Sequence, residues 1–234
     1  MLTLRARRNA LRVGLVGSLV SLALWQVLPV GAESGGYRHL GAVTSTQWHG
    51  VVGRLAVTDP GVRAGTYDFV AARFMAKEQV GGDTVWLEAG WSENGWRDGG
   101  PAVYTYDSAS ATWSFYDAYR IAPGDRIWIY LDSTPDGEWA AWLWWDGAWR
   151  MLRTVTLPTG ADAQIEEFVE VYADPRRAGT VTLPATAVDN VALRTADGGS
   201  VPWRAEVDTA TADRADGYCL DWRTPYDTWS AATC

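Results

Sequence analysis

Apolar residues recur at every second position through most of this chain, in short runs cut by Gly, Pro, Asp and Asn. A period of two puts successive side chains on opposite faces of an extended strand, and helical spacing is weak throughout. The runs at 50–58, 67–76, 84–91, 102–107, 110–119, 126–132, 139–145, 148–157, 164–172, 179–183 and 187–194 read as strands. Turn signals such as Asp59-Pro60-Gly61, Pro123-Gly124-Asp125 and Pro135-Asp136-Gly137 separate them. Asp146-Gly147, between two apolar runs, reads as a tight hairpin turn. So many short strands predict an all-β fold with two antiparallel sheets packed as a sandwich. The 234 residues fit one such domain, which the pattern places at 48–197. Residues 33–47 read as an N-terminal extension and 198–234 as a polar tail lying over the sandwich surface.

The first 32 residues read as an address. Arg5, Arg7, Arg8 and Arg12 precede an apolar run over 13–28, and Val30-Gly31-Ala32 offers small residues for a cut. That is the pattern of a secretory signal peptide; an uncleaved anchor is the alternative. Cleavage implies a secreted protein with no stable membrane association. Both cysteines, Cys219 and Cys234, fall in the exported part, where an even pair is most simply a disulfide. Two Cys and two His (His39, His49) lack zinc spacing, so no metal or other cofactor is expected. The net charge of −8 argues against nucleic acid, whose phosphates require basic faces. Nothing in the sequence calls for an oligomer, and a monomer is expected.

Several chemistries lack their residues. The chain has no Gly-x-Ser-x-Gly elbow, no His-Glu-x-x-His, no EF-hand loop and no Gly-rich loop opening a helix. What remains is carboxylates and aromatics, the latter including 15 Trp and 10 Tyr against only 4 Phe. Most acids sit in turns, but two strands carry them inside. In Val85–Trp91, parity puts Trp86, Glu88 and Gly90 on one face and Val85, Leu87, Ala89 and Trp91 on the core face. Gly90 reads as room for a ligand backbone to approach. In Gln164–Tyr172, Ile165, Val169 and Val171 mark the core face, and Glu166, Phe168, Glu170 and Tyr172 the other. Glu167 falls on the core face unless a bulge shifts the register, so Glu166 and Glu167 both stand as candidates for the second acid. On a concave sheet Glu88 and Glu166 could face each other across a groove. The same alternation would line its sides with Trp86, Trp128, Tyr130, Trp142 and Trp144. Phe168 and Glu170 complete the expected substrate-binding set.

These segments resemble a known group. Leu87-Glu88-Ala89-Gly90-Trp91 resembles the Ile-Glu-Ala-Gly-Trp segment of the neprosin glutamic peptidases and the Leu-Gln-Ala-Gly-Val segment of the eqolisins. Ile165-Glu166-x-x-x-Glu170-Val171 resembles the neprosin Ile-Glu-Trp-Gly-Gly-Glu-Val, with Glu-Trp-Ile-Val-Glu at the eqolisin position. Ile121-Ala122-Pro123-Gly124-Asp125-Arg126-Ile127 is similar to the eqolisin Ile-Ser-x-Gly-Asp-x-Ile turn. Trp48-x-Gly50 followed by Gly53-Arg54-Leu55-Ala56-Val57 is similar to the eqolisin mature start. The resemblance spans about 48–190. It implies a jelly-roll, concanavalin A-like double sheet and metal-free peptide hydrolysis in acid, with Glu88 and Glu166 as the catalytic pair. Glu167 stands where the family has Trp, which is a departure.

Two facing carboxylates that share a proton can hydrolyse an amide: one activates water, the other polarises the carbonyl. Glu166 is the expected base and Glu88 the protonated partner, although the roles can exchange. The expected substrate is a polypeptide. The principal alternative is a non-catalytic lectin-like sandwich whose Trp residues bind a glycan. A glycoside hydrolase also needs paired acids, but the strand signature Glu-x-Asp-x-x-Glu is absent.

Overall fold

The computed structural model describes residues 36–97, 99–158 and 160–234; the expected leader over 1–32 lies outside them. Sixteen strands and one short 3-10 turn make up the described fold. The strands are β1 (Tyr37–Trp48), β2 (Gly50–Ala56), β3 (Phe69–Val80), β4 (Asp83–Asn94), β5 (Pro101–Asp107), β6 (Thr112–Phe115), β7 (Arg126–Ser133) and β8 (Glu138–Trp145). They continue with β9 (Ala148–Thr156), β10 (Ala163–Tyr172), β11 (Thr186–Arg194), β12 (Ser200–Pro202), β13 (Thr209–Ala212), β14 (Arg214–Ala215), β15 (Tyr218–Thr224) and β16 (Thr228–Thr233).

Two antiparallel sheets form, as the period of two requires. One has seven strands in the order β13-β1-β10-β3-β4-β5-β6. The other runs β14-β15-β16-β11-β2-β7-β8-β9, with β12 on β11. Their inner faces interdigitate. Ala72, Phe74 and Ala76 of β3, Leu87, Ala89 and Trp91 of β4, and Ile165, Val169 and Val171 of β10 meet Val51, Leu55, Ile129, Leu131 and Leu143 from the other sheet. Burying such aliphatic and aromatic area is the main stabilising term of the fold. Four tryptophans, Trp91, Trp139, Trp203 and Trp229, are fully buried core residues. Trp91 donates Nε1–H to the Ala56 carbonyl at 3.0 Å, tying one sheet to the other. Buried indoles usually satisfy their N–H in this way.

The Asp146-Gly147 turn joins β8 to β9 with φ of 50° and 76°, the two positive values that a tight hairpin needs. Three readings of the sequence are corrected. Residues 37–47 belong to β1, which sits inside the seven-stranded sheet between β13 and β10, so they are no appendage. The tail supplies strands to both sheets, β13 to one and β12 and β14–β16 to the other. Residues 179–183 form no strand. Both ends add isolated core side chains, Leu40 and Ala42 at one and Trp203 and Trp229 at the other, among polar neighbours, so apolar alternation did not mark them. Cys219 and Cys234 are bonded, closing the β15–β16 hairpin against the C-terminus.

Candidate active site

β3 lies between β10 and β4, and the register sets out the outer face of this sheet in cross-strand rows. Glu166 opposes Met75, and Met75 opposes Glu88. The two acids therefore stand about 10 Å apart at the backbone, two strand spacings across, with Met75 as the floor between them. The next row is Phe168, Arg73, Gly90 and Tyr104. Beyond it Glu170 opposes His39, and further still Tyr172 opposes Tyr37 and Phe69. In the other direction comes Gln164, Lys77 and Trp86.

Arg73 is the hub of this face. Its Nη1 donates to Glu166 Oε2 at 3.1 Å and its Nε to Glu170 Oε1 at 3.0 Å, with Nη2 also on Glu170. The same Nε lies 3.3 Å from Glu88 Oε2. One guanidinium thus gathers all three carboxylates, a use of its planar fork that a lysine could not match. Each carboxylate has a further partner. Tyr104 donates its hydroxyl to Glu88 Oε1 at 3.2 Å. His39 Nε2 is 3.1 Å from Glu170 Oε1. Lys77 sits on the outer oxygen of Glu166. The acids and Arg73 are all less than 8% exposed, so these charges interact with little solvent screening.

The environment splits the protonation of the carboxylates. Burial pushes Glu88 up to about 7; nearby Glu170 and Glu166 push the same way, against the pull of Arg73 and the Tyr104 hydroxyl. Burial would raise Glu170 as well, but Arg73 and His39 outweigh it and hold the group at about 2. Burial, reinforced by Glu88, also lifts Tyr104 well above the usual phenol range, so its hydroxyl stays a donor. Below neutrality the face therefore holds one neutral acid beside charged neighbours.

Each residue singled out from the sequence can now be placed. Glu88, Glu166, Phe168, Glu170 and Trp86 share the outer face of the seven-stranded sheet. Phe168 lies under Arg73, whose Cζ is 5.5 Å from the ring centroid. Glu167 faces the core: β10 pairs with β3 with no register shift, and Glu167 is 0% exposed. Neither of its oxygens has a hydrogen-bond partner, nor has the indole N–H of Trp229; that indole is near enough to ease the charge slightly without a well-formed bond. Burial raises the Glu167 carboxyl well above the usual range.

Trp128, Tyr130, Trp142 and Trp144 do not line this groove. They belong to β7 and β8 of the other sheet, where Ile127, Ile129, Leu131 and Leu143 take the inner face and the aromatics point outward on the far side of the sandwich. Arg54 stacks over Trp128, and Arg194 over Tyr130, both at 5.7 Å. Strand parity assigned them a face correctly but carried no information on which sheet. Gly90 is also reassigned: a Cβ there would fall 2.0 Å from the Ala72 carbonyl oxygen, so the glycine lets β3 pass closely rather than a ligand. The aromatic wall beside the acids comes instead from Tyr37, Phe69, Tyr172, Trp96 and Trp113, with ring centroids 4.6–6.4 Å apart.

Arg73, Lys77, His39 and Tyr104 were not anticipated as site residues. A signal for Arg73 existed: it is a charge set among Phe69, Ala71 and Met75 on one face of its strand. Among the described residues, no group of three or more His, Cys, Asp or Glu is arranged to hold a metal ion.

Scytalido-glutamic peptidase, solved with a transition-state analogue inhibitor, superposes at a TM-score of 0.60 with 16% identity, over 84% of this chain and 98% of that one. A second structure of that enzyme, with a peptide-based transition-state analogue, gives 0.57 and 17% over the same shares. The fold is that of the glutamic peptidases. SCP-B, a member of the eqolisin family solved with the tripeptide Ala-Ile-His, matches at a TM-score of 0.55 and 17% identity, again over 84% and 98%. No protein-family model and no curated protein sequence matches the chain. The glutamic-peptidase likeness thus rests on three-dimensional arrangement, and the chemistry has to be argued from the side chains.

Proposed function

We propose that the protein is an acid-active endopeptidase that hydrolyses peptide bonds with Glu88 and Glu166. The observation carrying this reading is the row Glu166–Met75–Glu88, in which two carboxyls flank a floor and one is pushed up to about 7. A peptide carbonyl lying over Met75 meets a neutral Glu88, whose O–H polarises the oxygen. Glu166 takes a proton from the water as its oxygen attacks the carbonyl carbon. The tetrahedral intermediate then collapses as Glu166 passes that proton to the nitrogen and the C–N bond breaks, while Glu88 keeps its own proton. Arg73 positions both acids and balances the charge between them. The Cys219–Cys234 bond agrees with the export read from the leader, and the working form is a secreted monomer.

The test is incubation of the purified protein with denatured protein substrate from pH 3 to 8, with chelator present. Cleavage is expected in acid, falling as pH passes about 7 with ionisation of Glu88, and unaffected by chelator. Glu166→Gln should lose roughly 100-fold or more, the usual contribution of a general base. Full activity in that variant would refute the assignment. The glycan alternative needs Trp142 and Trp144 but no paired acids; those rings lie on the outer face of the other sheet, so sugar binding lost in Trp142→Ala or Trp144→Ala and unchanged in Glu88→Gln would favour it.

A further inference from the structure

The base of the proposed reaction is doubly engaged: Arg73 holds one oxygen of Glu166 and Lys77 the other. With both oxygens engaged by cations, Glu166 has no oxygen free to meet a water, so one partner has to yield during turnover. Arg73 cannot, since it is 3% exposed and shared among three acids. Lys77 can. Its side chain is 22% exposed, on a flexible four-carbon stem, with Glu166 as its ion-pair partner. It is also the only lysine in the chain.

The position of Lys77 along the groove gives it a second use. Glu88 and Glu166 grip from either side of β3, so a peptide held between them runs along that strand. Lys77 is two residues beyond Met75 on the same face, about 7 Å on, which is the spacing of like-facing side chains in an extended substrate. Toward the opposite end the wall is aromatic, with Tyr37, Phe69 and Tyr172. Glu78, the neighbouring acid in sequence, is engaged by Gln47. With Glu88 neutral, the charges of Arg73 and Lys77 balance those of Glu166 and Glu170, so an incoming anion meets no net negative field at the centre.

We infer that Lys77 is a specificity residue that takes an acidic side chain of the substrate on its side of the scissile bond and, in turning to it, releases Glu166 to act as base. This rests on the peptidase reading and names the substrate class: peptides with Asp or Glu near the cleaved bond.

The experiment uses internally quenched octapeptides that differ only in Glu or Gln, scanned over three positions either side of the cut, at pH 5.5. Wild type should show one position where Glu exceeds Gln by about tenfold in kcat/KM, in the range of a partly desolvated charge pair. Lys77→Arg should keep the preference, Lys77→Met reduce it to within twofold, and Lys77→Glu shift it toward a basic residue. No position with more than a twofold preference, or a preference kept in Lys77→Met, overturns the inference while leaving the peptidase reading intact. Absence of all cleavage by wild type overturns the peptidase reading, and tryptophan-fluorescence titration with the same peptides then decides Lys77 alone. In that titration, fivefold tighter binding of the Glu peptide, lost in Lys77→Met, supports the inference; equal binding of both peptides overturns it.

Discussion

Replacing Glu88 by Gln tests the proton that the site is built to keep. In an unfolded chain a Glu titrates near pH 4.3, whereas burial holds Glu88 neutral up to about 7. Between those values the folded state binds one proton more than the unfolded state. Stability therefore falls as pH rises, by about 1.4 kcal/mol per pH unit for each such group. The contribution of Glu88 is fully present below about pH 4.3 and gone above about 7, about 4 kcal/mol in all. Glu167, raised well above the usual range by burial, adds a slope of the same sign. Glu170 acts in the opposite sense: held at about 2, it adds stability above about pH 4.3 that is lost as pH falls toward 2. Wild type should thus be most stable near pH 4–5. Urea unfolding followed by tryptophan fluorescence, at half-unit steps from pH 3.5 to 8, should show wild-type stability falling by at least about 1.4 kcal/mol per pH unit between 4.5 and 7. Glu88→Gln should lower that slope by about 1.4 kcal/mol per pH unit. Half-buried Glu93, also raised by burial, contributes to both proteins and cancels in the comparison. Parallel curves for the two proteins would refute the claim that Glu88 folds in its neutral form.

Arg73→Met leaves Glu166 and Glu170 buried without their central cation, and should destabilise by about 3–5 kcal/mol at pH 7, less in acid as the carboxyls protonate. Urea midpoints at the two pH values measure this, and equal losses would contradict it. Glu167→Leu removes a carboxyl with no hydrogen-bond partner and should stabilise at pH 7 by about 1–3 kcal/mol; a lower midpoint would show that the acid has a partner in the folded state. Trp142→Ala with Trp144→Ala should leave peptide hydrolysis unchanged, since both rings lie on the far sheet; a loss of kcat/KM would place them near the substrate after all.

Much of the sandwich was legible because burial on one face of a strand writes itself into the sequence as alternation. Leu87, Ala89 and Trp91 against Glu88 and Gly90 is such a case. The same alternation marked Glu167 as a conflict with its core-face neighbours Ile165 and Val169, but only the unbroken β10–β3 register decides that Glu166 is the outer acid. Alternation is silent on which strands become neighbours. The register that sets Arg73 between Glu88 and Glu166 joins segments 93 residues apart, and nothing local specifies it. For the same reason Trp128 and Tyr130 were given the right exposure and the wrong sheet. β1 escaped notice because its run is broken by His39, Gly41 and Thr44. Each of those interruptions has a reason in the fold: His39 faces Glu170, a Cβ on Gly41 would fall 1.9 Å from the Glu167 carbonyl oxygen, and Thr44 accepts the Ile165 N–H at 3.0 Å.

The arrangement around Arg73 also explains why the three acids are not interchangeable. A lone guanidinium cannot stabilise three buried carboxylates equally, because its five N–H groups point in fixed directions. Glu170 takes both Nε and Nη2 and is held ionised; Glu88 shares only Nε, at a longer distance, and burial then decides in favour of its neutral form. The asymmetry that acid–base catalysis requires therefore comes from unequal access to one cation, set by the strand on which each acid stands. Moving Glu88 closer to Arg73 would strengthen the ion pair and remove the proton on which the proposed chemistry depends. On this reasoning any variant that lowers the Glu88 pKa narrows the active pH range from the alkaline side, whatever it does to stability.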